Sequence, residues 1–198
     1  MSLHLALVAL LAYLIGSIPF GLILTASAGL GDIRKLGSGN IGATNVLRTG
    51  NKGLAAATLL LDGLKGAAAV WIGAAILPTP LAAAIAGACA ALGHCFPVWL
   101  RFAGGKGVAT MLGIALAFDW RAAVVCCALW IALARLTRIS SAGGIGAAVA
   151  APILLLVLTG NGPAAWAGLA IGLLVLLRHH ANIGRLLRGT EPRIGRQA

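Results

Sequence analysis

The sequence predicts an all-α, polytopic integral membrane protein, and three observations predict it. Sixty per cent of the 198 residues are hydrophobic and ten per cent are charged, with a mean hydropathy of +1.00. Apolar runs recur along the chain, several long enough for a hydrocarbon core that takes about twenty helical residues to cross. The basic residues gather in alternate connections between those runs, as cytoplasmic loops do. A soluble domain of this length could not cover so much apolar surface, so residues 1–198 read as a single transmembrane domain.

The runs fall at Leu3–Leu24, Leu54–Leu77, Leu81–Leu100, Val108–Phe118, Ala122–Ala134, Ile145–Leu158 and Ala164–Leu177. The first resembles a signal peptide at Ala26-Ser27-Ala28. It lacks a basic leading segment, and Gly16 and Pro19 interrupt it, so an uncleaved first span is expected. The fourth and fifth are short. Charge arbitrates whether they are separate passes. With the N-terminus outside and seven spans, the inside connections hold Arg34, Lys35, Arg48 and Lys52, then Arg101 and Lys106, then Arg135 and Arg138, then the tail from Arg178 to Arg196. The outside connections, "LPTP", "DWR" and "TGNGP", contribute only Arg121. Merging the two short runs would put Lys106 and Arg138 on opposite faces. Seven helices with a cytoplasmic C-terminus is the reading, with five if the short runs are re-entrant.

Fifteen Lys and Arg stand against four acids, Asp32, Asp62, Asp119 and Glu191. Their placement in short loops fits a membrane better than nucleic acid, which is not expected as a partner. Cys89, Cys95, Cys126 and Cys127 lie in or near apolar runs without metal-ligand spacing, and buried thiols are expected.

Every polar, glycine-rich connection falls on the inside. In "GSGNIGATNVLRTGNKG", Gly37, Gly39 and Gly42 allow positive φ and close approach of N–H groups to an anion. Ser38, Asn40, Thr44 and Asn45 add neutral donors, and Arg48 adds a planar fork suited to phosphate. The bland alternative is a flexible loop with a helix N-cap at Thr44 or Asn45. In "LGHCFPVWLRFAGGKGVAT", Gly104, Gly105, Lys106 and Gly107 precede an apolar helix, which offers free amides and a lysine to phosphate. The nucleotide-binding spacing G-x-x-x-x-G-K-[ST] is absent. His94, inside the third run, reads as a packing residue. "RLTRISSAGGIGA" repeats the pattern with Ser140 and Ser141. In "RHHANIGRLLRGTEP", a continuing helix would put His179 and Asn182 on one face, while Arg185 and Arg188 suit lipid headgroups. Asp62 and Lys65 lie three residues apart inside the second run, where they neutralise each other either as a functional pair or as a structural one. Together the inside segments describe a pocket for more than one phosphate beside lipid tails.

"SGNIGATNVLR" at Ser38–Arg48, "GHCFPVWLRFAGGKGVAT" at Gly93–Thr110 and "HANIGRLLRGTE" at His179–Glu191 resemble the three signature segments of the acyl-phosphate:glycerol-3-phosphate acyltransferases, the PlsY family. The resemblance covers essentially the whole chain. It implies a bacterial inner-membrane enzyme with its active site facing the cytoplasm. Such an enzyme moves a fatty acyl group from acyl phosphate to the sn-1 hydroxyl of glycerol 3-phosphate, giving lysophosphatidic acid and phosphate, the committed step of phospholipid synthesis. It needs no cofactor and no metal. By motif, Ser38, Arg48, Lys106, His179 and Asn182 line the phosphate sites. Ser141 fits the first of two serines common in the third inside loop, and Gly144 stands at the second. A hydroxyl contact there is lost, taken by Ser140, or replaced by the Gly144 amide.

An activated acyl donor requires no covalent nucleophile. Lys106, Arg48 and backbone amides match the charge of the leaving phosphate, and a dry cleft orients the hydroxyl. The base is either His179 or a substrate phosphate, and the density of positive charge favours the substrate. Two kinds of rival stand beside this reading, other enzyme classes and a transporter. Acyltransferases with an H-x-x-x-x-D pair are excluded, since Ala9, Trp99, Gly184 and Arg185 follow the four histidines at that spacing. The CDP-alcohol phosphatidyltransferases need an aspartate cluster that this chain lacks. A transporter for a phosphorylated solute is the alternative, suited by Asp62 and Lys65 but not by the empty outside loops.

Overall fold

The computed structural model describes residues 2–160 and 162–194. Asn161 of the "TGNGP" connection and Arg196 of the tail lie outside the described residues. Among the described residues ten α-helices follow in order. They are α1 (Ser2–Gly16), α2 (Phe20–Ser27), α3 (Ala43–Val46), α4 (Lys52–Ile76), α5 (Pro80–Cys95), α6 (Val108–Phe118), α7 (Trp120–Thr137), α8 (Ser140–Thr159), α9 (Pro163–Arg178) and α10 (His180–Leu187).

Among the described residues, five segments are long and apolar enough to cross a membrane: Leu3–Ser27, Lys52–Ile76, Pro80–Leu100, Trp120–Thr137 and Ser140–Thr159. A sixth is the pair α9 and α10, bent by 60° at His179. The fold is therefore an all-α membrane bundle with five to six candidate spans. The remaining apolar helix, α6, has 11 residues. At 1.5 Å per residue it reaches roughly half of a ~30 Å core, and the seven-span reading depends on it. The second of the two short runs is a full helix in α7, extended at its end by Arg135 to Thr137.

The bundle is held by small residues. α1 packs on α5 and α4, α4 on α5 and α6, α7 on α8, and α8 and α5 on α9. Alanines fill the centre, among them Ala84, Ala91, Ala147, Ala148 and Ala151. Large apolar side chains such as Trp71, Leu136, Val157 and Leu177 point outward. This arrangement suits lipid, where close backbone contact between helices replaces a hydrophobic driving force. A Cβ at Gly16 would meet the Ala90 carbonyl at 2.1 Å, and one at Gly113 would meet the Gly63 carbonyl at 1.8 Å.

Helix breaks leave carbonyls that side chains from elsewhere satisfy. Pro19, with no N–H, follows the end of α1. The Ser17 carbonyl accepts from Trp99 Nε1 at 2.7 Å, and the Ile18 carbonyl from Lys65 Nζ at 2.7 Å. Lys65 is also paired with Asp62 at 2.6 Å. The intramembrane pair thus fastens α4 to the break between α1 and α2. Cys89, Cys95, Cys126 and Cys127 are free thiols, of which Cys95 and Cys126 are buried.

Replacing Gly113 by valine forces α6 off α4. Overpacking of this kind costs about 1–3 kcal/mol. The expected result is a lower thermal midpoint in detergent for Gly113→Val. Gly162→Ala, with nothing within 4 Å of the added methyl, should leave the midpoint unchanged.

Candidate active site

Four segments far apart in sequence meet at one end of the bundle around a cleft of about 350 Å³. Gly37, Ser38 and Arg48 supply one wall, Lys106 the floor, and Arg178, Asn182 and Arg185 the opposite wall. Four cations therefore face one small space.

The first segment is a folded loop. The Asn45 side chain is buried and donates to the Ile33 and Leu36 carbonyls at 2.7 and 3.1 Å. Asn40 Oδ1 accepts from the Gly42 N–H at 2.9 Å, an Asx turn. The Asn45 amide nitrogen and the Asn40 oxygen are thus committed to the loop itself. Gly37 and Gly39 do adopt positive φ, +47° and +67°. Gly42 does not, with φ −82°, and it rather than Thr44 or Asn45 caps the short helix α3. Thr44 turns to Ser140, hydroxyl to hydroxyl at 3.1 Å. The loop delivers Ser38 and Arg48. The Arg48 guanidinium lies against Gly37, where a Cβ would fall 2.1 Å from Nη1. A side chain at 37 would push Arg48 out of the cleft.

The glycine loop before α6 is also held from behind. The Gly104 and Gly105 N–H groups donate to the Cys95 and His94 carbonyls at 3.2 and 3.0 Å, so neither is free for phosphate as the sequence pattern suggested. Their carbonyls accept from Arg178 Nη2 and Nε, each at 3.0 Å. The Arg178 guanidinium also lies 5.1 Å from the Phe96 ring centroid. Gly107, at φ +87°, starts α6. The N–H groups of Lys106 and Gly107 have no acceptor among the described residues, and they carry the anion-binding character at this helix start.

Lys106 Nζ donates to Asn182 Oδ1 at 2.5 Å. The other end of that amide, Nδ2, donates to Glu191 Oε1. A cation on the oxygen and a carboxylate on the nitrogen fix the orientation of the amide. Glu191 also accepts from Ser141 Oγ at 2.6 Å and Arg185 Nε at 2.7 Å, with its side chain 6 % exposed. Burial raises the Glu191 carboxyl, but the hydrogen bonds from Ser141, Asn182 and Arg185 outweigh it and hold the group below the ordinary range. Burial pushes the Lys106 ammonium down to about 8; Glu191 opposes that shift, while Arg185, Arg178 and Arg48 add to it.

The helix does not run straight through the fourth segment. It bends by 60° at His179, yet the Ile183 N–H still reaches the His179 carbonyl at 2.8 Å. Asn182 enters the cleft wall, whereas His179 is set back, 3 % exposed, against α8. Its Nδ1–H donates to the Val175 carbonyl at 2.7 Å, which only the protonated nitrogen can do. Nε2 is the remaining lone pair. It lies beside Gly144, where a Cβ would stand 3.3 Å away. Within α8 the Gly144 N–H belongs to the helix ladder, and Ser140 is engaged with Thr44. Neither supplies the second hydroxyl contact.

Sequence reasoning missed three participants. Arg185 was assigned to lipid headgroups, Arg178 to a general basic tail, and Glu191 was given no role. Their signal was proximity: all three flank the His179–Asn182 segment. Asp62 and Lys65, by contrast, are not in the cleft.

A cationic, glycine-walled cleft at the end of an apolar helix bundle defines a membrane protein that handles phosphorylated substrates. The comparisons narrow that class. The family model for glycerol-3-phosphate acyltransferase matches residues 6–189. The glycerol-3-phosphate acyltransferase of Gluconobacter oxydans (strain 621H) is 56% identical over 196 residues, covering 96% of this chain and 93% of that one. The enzyme of that name from Mesorhizobium japonicum is 55% identical, covering 98% of each chain. The crystal structure of PlsY, an integral membrane glycerol 3-phosphate acyltransferase, in its glycerol 3-phosphate form superposes with a TM-score of 0.90 at 35% identity, with 96% of each chain covered. The lysophosphatidic acid form superposes with a TM-score of 0.89 at 34% identity, covering 96% of this chain and 95% of that one. This chain belongs to the PlsY-type glycerol-3-phosphate acyltransferase family.

Lys106 carries a pH dependence. Below about pH 8 it is a cation, and above that it loses its proton. Apparent affinity for a phosphorylated substrate should be flat up to about pH 8 and fall beyond it, read as a rising KM. Lys106→Arg, charged throughout, should abolish the rise. Stability moves the other way. The folded state binds fewer protons than the unfolded between about 8 and 10.5, so unfolding becomes harder as pH rises through that window.

Proposed function

We propose that this chain transfers a fatty acyl group from acyl phosphate to the sn-1 hydroxyl of glycerol 3-phosphate, producing lysophosphatidic acid and inorganic phosphate. The observation that carries the reading is the convergence of Arg48, Lys106, Arg178 and Arg185 on one cleft beside helices facing lipid. Both reactants bear phosphate, and one bears a chain that belongs in the bilayer.

Residues 1–198 act as one domain of seven spans, with α6 the short one, the N-terminus outside and the tail in the cytoplasm. The cleft then opens to the cytoplasm at the bacterial inner membrane, where the water-soluble substrate is found. Ser38, Arg48, Lys106 and Asn182 contact phosphate, with the Lys106 and Gly107 amides. Gly39, Asn40, Gly42, Thr44, Asn45, Gly104 and Gly105 shape the two loops. Ser141 reaches the site through Glu191. Catalysis uses no covalent intermediate. Cations and amides match the charge of the leaving phosphate, and the glycerol hydroxyl attacks the acyl carbon. The proton of the attacking hydroxyl goes to a substrate phosphate, and His179, held by the Val175 carbonyl with Nε2 beside Gly144, supports the site from behind. No cofactor or metal enters these steps.

Purified protein in lipid, given palmitoyl phosphate, should release phosphate only with glycerol 3-phosphate, form lysophosphatidic acid and keep its rate in EDTA. Lys106→Ala and Arg48→Ala should each lower kcat about 10²–10³-fold, the range typical of a removed oxyanion donor. Saturable glycerol 3-phosphate binding without phosphate release would favour a transporter instead. His179→Gln that abolishes turnover while sparing glycerol 3-phosphate binding would overturn the substrate-assisted step.

A further inference from the structure

We infer that His94, outside the cleft, is a positioning residue for the glycine loop. Backed by Asp62, its ring sets the height of Gly105 and with it the reach of Lys106. The inference deepens the site proposed above and rests on that reading.

His94 lies on α5, 4 % exposed, between two groups. On one side is Asp62 of α4, whose Oδ1 stands 3.8 Å from His94 Nδ1. That carboxylate is itself fixed: Lys65 meets it at 2.6 Å as an ion pair and bonds to the Ile18 carbonyl. His94 Nδ1 has no hydrogen-bond partner among the described residues. A buried ring nitrogen facing a buried carboxylate, with no better neighbour, is drawn toward it.

On the other side is the glycine loop. A Cβ at Gly105 would meet His94 Nε2 at 2.1 Å, Cε1 at 2.8 Å and Cδ2 at 3.0 Å. These three nearest atoms all belong to this one ring. The loop is also stitched to the same residue, since the Gly105 N–H donates to the His94 carbonyl at 3.0 Å. Arg178 holds the loop's carbonyls from the opposite side. Gly105 is thus clamped between the His94 ring and Arg178, and Lys106 is the next residue.

The geometry makes an unusual demand: the defect caused by Gly105→Ala should be relieved by removing His94. Four proteins are compared, the unmodified chain, Gly105→Ala, His94→Ala and the double variant. Each is measured by KM for both substrates, kcat and the dissociation constant for inorganic phosphate. Gly105→Ala is expected to raise KM and the phosphate constant at least tenfold. His94→Ala should raise them about three- to tenfold, with a smaller change in kcat. The double variant should bind at least threefold better than Gly105→Ala alone. If His94→Ala is not recovered folded, His94→Asn makes the same comparison. It keeps a polar atom toward Asp62 and removes the Nε2 that crowds Gly105. A double variant that is folded and no better than Gly105→Ala alone overturns the inference. An unmodified chain that binds phosphate but transfers no acyl group overturns the acyl-transfer reading. The phosphate constants would still decide the role of His94.

Discussion

Backbone carbonyls left over where helices break must be satisfied, and the arrangement of the site depends on that constraint. Away from water an unpaired carbonyl is costly, yet a phosphate site requires irregular backbone. Here long side chains from distant helices meet the need. Lys65 takes the Ile18 carbonyl, Trp99 the Ser17 carbonyl, Tyr13 the Phe96 carbonyl, and Arg178 those of Gly104 and Gly105. In the first loop Asn45 adds a second bond to the Ile33 and Leu36 carbonyls, which already accept from the Leu36 and Gly39 N–H groups. Each of these side-chain bonds ties two elements together. The cleft inherits its rigidity from these ties: Asn45 holds the first glycine loop from behind, and Arg178, itself a cleft residue, holds the second.

The electrostatics follow from the same economy of acids. Four cations at one cleft repel one another, and among the described residues only Glu191 nearby compensates. It does so from the tail, through Ser141, Asn182 and Arg185. Burial depresses Lys106, and the neighbouring arginines add to that shift. A doubly charged phosphate is the kind of ligand whose charge would complement this cluster. The site is matched to anions by what it lacks as much as by what it presents.

Much of this was legible in the sequence. Apolar runs and the clustering of Arg and Lys located the helices and brought the polar segments to one end. The Asp62–Lys65 spacing announced the ion pair. What was not legible concerns donors with two uses. An asparagine in a glycine loop serves a ligand or its own backbone equally well by composition. Only the fold shows the Asn45 amide and the Asn40 oxygen committed to the loop and Asn182 placed at the cleft wall. The amides of Gly104 and Gly105 are in the same position: glycine gives them freedom, and the nearby Cys95 and His94 carbonyls remove it. Span count was ambiguous for a related reason, because α6 is shorter than the membrane and hydropathy does not say how deep a short helix sits.

The placement of His179 bears on how a proton leaves the attacking hydroxyl. Its Nδ1–H is committed to the Val175 carbonyl, which leaves Nε2 as the one nitrogen able to accept. That nitrogen sits by Gly144 of α8 rather than on the cleft wall. A base must reach within about 3 Å of the proton it takes. To act directly, His179 would need the substrate to extend past Asn182 toward α8. A phosphate oxygen on the glycerol 3-phosphate itself is already within reach of its own hydroxyl when the molecule folds back. Cations around that phosphate would lower its basicity, so the proposed substrate-assisted route requires one phosphate oxygen to stay clear of Arg48 and Lys106.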